Sequence, residues 1–140
     1  MQSAIKEAEK GRNKGEVPVG CVVVFKGEII SKAHNEVEKR GNPMNHCEIL
    51  ALRKALRTIG RREMSNTSLY ITLEPCCMCF FSMVLLRIKE LIFGADNPKF
   101  GACGSVVDIT SGFNHKIKIK SGVLKEKCAR LLSDFFKTLR

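Results

Sequence analysis

Asn45-His46-Cys47-Glu48 and, thirty residues beyond the histidine, Pro75-Cys76-Cys77-Met78-Cys79 are the segments on which the reading of this chain turns. One imidazole and two thiolates make three ligands of the type zinc prefers, and three protein ligands leave the fourth tetrahedral position for a water. His46, Cys76 and Cys79 are therefore the candidate metal ligands. Glu48, two residues past the histidine, is the candidate proton carrier. The pattern points to a hydrolase, because a structural zinc closes its shell with a fourth side chain. Cys47, Cys77 or His34 would supply that closure here, and a lone CxxC also serves as a redox dithiol.

The chemistry explains the residue types. Two thiolates balance the metal charge, and the water at the open position falls towards a pKa of ~7. A carboxylate beside that water takes its proton and passes it to a leaving amine. Asn45 is expected to cap a helix running through Ile49, Leu50, Leu52, Ala55 and Leu56, and Pro75 to take the first position of a second. Cys76 and Cys79 then share one helix face, Cys77 points away, and the positive helix end favours thiolate. His46 and Glu48 converge only from a first turn, so the site lies between two helix N-termini.

Outward from these motifs, helices and strands alternate. A short first helix (Ala4, Ile5, Ala8) fades at Gly11 and Gly15. Val19 to Phe25 reads as a buried strand, and Lys26-Gly27 turns it into Glu28 to His34. A polar loop covers Glu36 to Asn45. Ser68 to Leu73 and Lys89 to Phe93 are further strands, with Lys116 to Lys120 a fifth after a Gly-rich loop, Gly94 to Ser105. The cysteine-bearing helix is apolar all round and is expected to be buried, in part at a subunit contact. A last helix carries an apolar stripe at Leu124, Cys128, Leu131, Leu132, Phe135, Phe136 and Leu139. The alternation predicts an α/β fold, a three-layer α/β/α sandwich on a mixed five-stranded sheet.

A chain of 140 residues, 44% hydrophobic, suits one domain, 1–140. No apolar run approaches the ~20 residues of a membrane span. Seven cysteines, an odd number with metal spacing in the densest cluster, fit reduced thiols in a cytoplasmic protein better than disulfides. The formal charge is +10, and residues 114–140 hold eight Lys or Arg against two acids. Arg53, Lys54, Arg57, Arg61 and Arg62 form a second basic cluster. Such surfaces attract polyanions, although charge runs also occur as ordinary solvated helix faces.

The sequence resembles the bacterial tRNA-specific adenosine deaminases of the cytidine deaminase-like superfamily, whose signature is H-x-E…P-C-x-x-C. The likeness runs nearly end to end. It takes in Glu16-Val17-Pro18-Val19-Gly20, His34-Asn35, Thr72-Leu73-Glu74-Pro75, Phe93-Gly94-Ala95-Asp96, Lys99-Phe100-Gly101-Ala102, Asp108, Asn114-His115 and Leu132-Ser133-Asp134-Phe135-Phe136. The zinc signature identifies the superfamily, and the flanking motifs carry the tRNA assignment.

The resemblance implies one zinc ion per subunit, a homodimer, and a tRNA anticodon stem-loop whose wobble adenosine is flipped into the pocket and converted to inosine. Hydroxide attacks C6, and Glu48 moves protons to N1 and to the departing ammonia. Asn35 matches the asparagine that hydrogen-bonds the target nucleoside, Val19 a pocket wall, and Cys47 a position used through its backbone N–H. The loop holding Asn97 and Lys99 matches the segment near the bound strand, with Lys99 suited to a phosphate. Phe136 or Phe135 offers a stacking surface. Asn114 and His115 match a polar pair to which no role is given.

Three departures stand out. Cys47 replaces a usual alanine, Phe80-Phe81-Ser82 stands where small residues are common, and the segment from Asp108 to Asn114 is short. The rival enzyme is a small-molecule deaminase acting on guanine, cytosine or a nucleoside. The rival from another class is a non-catalytic zinc module that binds RNA, which would tolerate loss of the Glu48 carboxylate.

Overall fold

Lys26 and Gly27 both take positive φ, 51° and 77°, the geometry of a two-residue turn whose twist matches its flanking strands. They join β1 (Gly20–Phe25) to β2 (Glu28–His34), an antiparallel pair whose register shifts between Val23 and Val24. A computed structural model describes residues 1–140. β1 also pairs antiparallel with β3 (Thr67–Leu73), which pairs parallel with β4 (Glu90–Ala95), which in turn pairs parallel with β5 (Lys118–Lys120). The spatial order is β2-β1-β3-β4-β5. This is the mixed five-stranded sheet expected from the sequence.

Side chains alternate across that sheet. From β1, Cys21 and Val23 join the larger core, shared with α3 (Cys47–Ile59) and α4 (Cys77–Leu85). Gly20 faces the other way, against α1 (Gln2–Asn13), and Gly94 of β4 faces α5 (Lys125–Thr138). A Cβ at Gly20 would overlap the Ala4 carbonyl oxygen, and one at Gly94 would overlap the Cys128 sulfur. These two glycines let both helices lie directly on the strands. The three-layer sandwich follows.

Several local expectations change. α1 does not fade at Gly11 but runs to Asn13, because the missing side chain there makes room for the His34 ring. The expected polar loop contains a one-turn helix, α2 (Val37–Arg40), whose Glu38 and Lys39 N–H groups donate to the buried Glu16 carboxylate at 3.1 and 2.8 Å. A 3₁₀ turn, Arg62–Asn66, precedes β3. α4 is not buried all round. Phe80 lies in the core, whereas Phe81 is 44% and Leu85 64% exposed. Phe81 packs against Phe113, ring centroids 5.4 Å apart and tilted by 48°. Along α5, Cys128, Leu131 and Phe135 are buried, while Phe136 and Leu139 face solvent. No helix is long and apolar enough to cross a membrane.

Candidate active site

Both metal motifs sit earlier on their helices than capping rules suggest, by one residue at His46 and by two at Cys76. His46 occupies the N-cap of α3, with extended backbone (φ −69°, ψ 149°), so Asn45 lies outside the helix. Cys76 occupies the N-cap of α4 (φ −76°, ψ 172°), so Pro75 precedes the helix and does not open it. In each case the residue at the N-cap is a metal-ligand type with no capping hydrogen bond from its side chain. The extended N-cap backbone turns the His46 and Cys76 side chains off the helix axes and towards each other. Cys79, in the first turn of α4, completes the cluster.

His46 Nδ1 lies 3.6 Å from Cys76 Sγ and 3.5 Å from Cys79 Sγ, and the three ligand atoms are within 4.8 Å of one another. A tetrahedral zinc with Zn–N near 2.0 Å and Zn–S near 2.3 Å requires N···S separations of about 3.5 Å. The donor set fits the ion. No fourth His, Cys, Asp or Glu joins the group. His34 Nδ1 is engaged with Glu7 at 3.3 Å, Cys77 is exposed, and the Cys47 thiol points to Glu48. The shell is open.

The electrostatics prepare a thiolate. Hydrogen bonding from Cys79 lowers Cys76 to about 4, against burial and with help from His46. The same shared proton, together with burial, raises Cys79. One sulfur is thus ionised beforehand, and metal binding releases the second proton. Glu48 is buried beside them, and burial pushes its carboxyl up, with backbone hydrogen bonding and His46 opposing. Cys47 is fully buried and its thiol donates to Glu48 Oε2 at 3.3 Å. A buried carboxyl beside an open metal position is suited to carrying protons.

Asn35 Oδ1 accepts the Cys47 N–H at 2.9 Å, which leaves the Asn35 amide donors free of protein partners. Val19 is buried in the larger core and accepts the Asn35 N–H. Lys99 Nζ rests 5.7 Å from the centroid of the Phe136 ring, so two residues singled out separately in the sequence meet on the surface. Asn97 is occupied otherwise. Its Oδ1 accepts the Lys99 and Phe100 N–H groups and its Nδ2 donates to the Glu74 carbonyl. His115 donates to the Ile88 carbonyl at 2.8 Å, and Asp108 closes a turn on Thr110.

Besides Glu7 of α1, two buried acids escaped the sequence reading, Glu16 and Glu74. Both lie in quoted motifs without a role. The available signal was an ionisable residue abutting an apolar run, where only multiple hydrogen bonds make burial tolerable.

Residues 1–95 match the cytidine and deoxycytidylate deaminase zinc-binding region. The chain is 44% identical, over its whole length, to the tRNA-specific adenosine deaminase of Bacillus subtilis (strain 168), covering 88% of that protein. It belongs to the tRNA-specific adenosine deaminases. The adenosine deaminase of Aquifex aeolicus (strain VF5), also tRNA-specific, is 44% identical over 93% of its length. A solved chain from work on A-to-I editing by tRNA:A34 deaminases at the wobble position superposes with a TM-score of 0.89 at 34% identity, covering 94% of this deaminase and 97% of that chain. A guanine deaminase from Nitrosomonas europaea shares the fold, with a TM-score of 0.79 at 20% identity over 96% of this chain and 81% of its own. His46, Cys76 and Cys79 form a group that could hold one zinc ion, the metal for which the matched region is described.

Proposed function

We infer that this chain deaminates adenosine to inosine at the wobble position of a tRNA anticodon, consuming one water and releasing ammonia. The observation that carries the reading is the open three-ligand cluster with a buried carboxylate beside it, in a chain of this family. Zinc held by His46, Cys76 and Cys79 supplies a Lewis acid that makes water nucleophilic at neutral pH. Glu48 takes a proton from the attacking water, delivers it to N1 of the adenine, and moves the second proton to the departing ammonia. Asn35, fixed through its oxygen by the Cys47 backbone, presents its amide donors to the target nucleoside. Val19 packs beside it. Lys99 and Phe136 meet the RNA outside the pocket, Lys99 on a phosphate and Phe136 on a base. Asn97 supports them by holding the turn that carries Lys99.

The domain works as a homodimer in the cytoplasm. Support for the dimer is a mainly apolar groove of about 220 Å³ between α3 and the end of α4, lined by Ile49, Leu52, Leu56, Leu85 and Leu86 with Arg53 and Ser82, and the exposed Phe81 of α4. All seven cysteines are free thiols, as a reducing compartment requires.

The test is inosine formation in an anticodon stem-loop with adenosine at the wobble position, beside free adenosine, cytidine and guanine. Conversion of the stem-loop alone is expected. Turnover of a free base or nucleoside with the RNA untouched would overturn the reading.

A further inference from the structure

Glu74 is buried, follows the last residue of β3, and stands two positions before the ligand Cys76. No cation pairs with it. Instead its Oε1 accepts the Cys103 and Ser105 N–H groups at 2.9 and 3.2 Å, and its Oε2 accepts the Asn97 N–H at 2.9 Å and the Ser105 hydroxyl. Every donor comes from one loop. The backbone repeats the attachment, because Ala102 N–H donates to the Pro75 carbonyl and Glu74 N–H to that of Ala95. Gly101 lies so close that a Cβ there would overlap the carboxylate. The loop 97–105 is thus welded to the turn that delivers Cys76.

That loop carries an unusual surface. Phe100 is 68% exposed, and the neighbouring Lys99 ammonium rests over the partly exposed Phe136 ring. An exposed aromatic ring next in sequence to a cation that rests on a second, partly exposed ring matches a polyanion whose bases stack on rings and whose phosphates seek ammonium groups.

We propose that Glu74 is a positioning residue: its carboxylate clamps the 97–105 loop to the cysteine-bearing turn, so that Lys99 and Phe100 engage RNA flanking the reacting nucleotide at a fixed distance from the metal. The proposal rests on the RNA-deaminase reading. An amide cannot replace the carboxylate, because each oxygen faces at least one backbone N–H, and the NH₂ of a glutamine would confront a donor on either side. The loop then loosens while the ligands stay in place.

The experiment compares wild type, Glu74→Gln, Lys99→Ala/Phe100→Ala and the triple variant, measuring steady-state kinetics on the anticodon stem-loop and zinc per chain. Glu74→Gln is expected to raise KM about tenfold, with kcat within about twofold and zinc content unchanged. In the Lys99→Ala/Phe100→Ala background the same change is expected to add almost nothing, since the residues it positions are gone. An unchanged KM, a joint loss of zinc and kcat, or full additivity in the triple variant would each overturn the proposal. Should Glu74→Gln fail to fold, Ser105→Ala, which removes a single donor, is expected to raise KM about threefold by the same route; no change would overturn it. Wild-type conversion of the stem-loop reports separately on the reading beneath.

Discussion

The two faces of the sheet are built by different rules. On one, α3 and α4 bring their N-termini together, and a core of 20 buried residues holds them there. Identity matters at that face because chemistry demands it: imidazole, thiolate and carboxylate have no substitutes. On the other, α1 and α5 share a cluster of only five buried residues, and what matters is the absence of side chains at Gly20 and Gly94. The first face is specified by functional groups and the second by clearance. Substitutions should therefore fail differently on the two sides, with activity lost first on one and stability on the other.

The largest effect is expected at Glu48. Glu48→Gln keeps size and burial but removes the proposed proton carrier, so kcat should fall by about 10³-fold or more while zinc content and thermal midpoint stay near those of wild type. Metal analysis beside an inosine assay checks this. Cys76→Ala should lose zinc and turnover together, because the remaining two ligands cannot hold the ion. A Glu48→Gln enzyme that retained turnover would place this face under the same rule of clearance as the other.

Gly94→Ala and Gly20→Ala should show the converse. The new methyl at Gly20 meets α1 backbone, and that at Gly94 meets the Cys128 side chain and the Thr72 carbonyl oxygen; overpacking of this kind costs about 1–3 kcal/mol. Gly20→Ala is expected to be the worse, since backbone of α1 stands in the way, whereas at Gly94 the nearest atom is the Cys128 side chain. Denaturation midpoints should fall while kcat per folded, zinc-loaded molecule remains within about twofold. Pairing Gly94→Ala with Cys128→Ala should restore part of the loss, which would locate the cause in that one contact.

This division also explains what was legible in the sequence. His46, Cys76 and Cys79 are readable from spacing because metal chemistry admits few residue types, and the strands β1 to β4 are readable because burial imposes apolar runs. The exact helix starts were not. Asn45 is a good N-cap and Pro75 a good first helical residue by propensity, but His46 and Cys76 took the N-caps, where an extended backbone turns their side chains towards each other. Glu16 and Glu74 were hidden for a different reason. Their partners are backbone N–H groups from α2 and from the 97–105 loop, and a backbone donor leaves no mark in a sequence. The shared surface of Lys99 and Phe136 depends on where α5 ends relative to the loop after β4, which no local pattern encodes.

The smallest effect sharpens the comparison from the clearance side. Glu7 of α1 receives hydrogen bonds from Lys10 at 2.7 Å and His34 at 3.3 Å, tying the helix to β2. Burial alone would raise its carboxyl, but those bonds and the two neighbouring charges outweigh it and hold Glu7 below its ordinary 4.5. A carboxyl lowered in the folded state stabilises it fully above its ordinary value, and that contribution is lost as pH falls through the lowered one. Glu7→Gln should therefore be less stable than wild type at pH 7, with the gap closing as acidification passes below the ordinary 4.5 and through the lowered value. Urea midpoints of the two proteins across that range check the point. A gap that persists in acid would mean that Glu7 holds α1 by shape alone, and that this face owes nothing to charge.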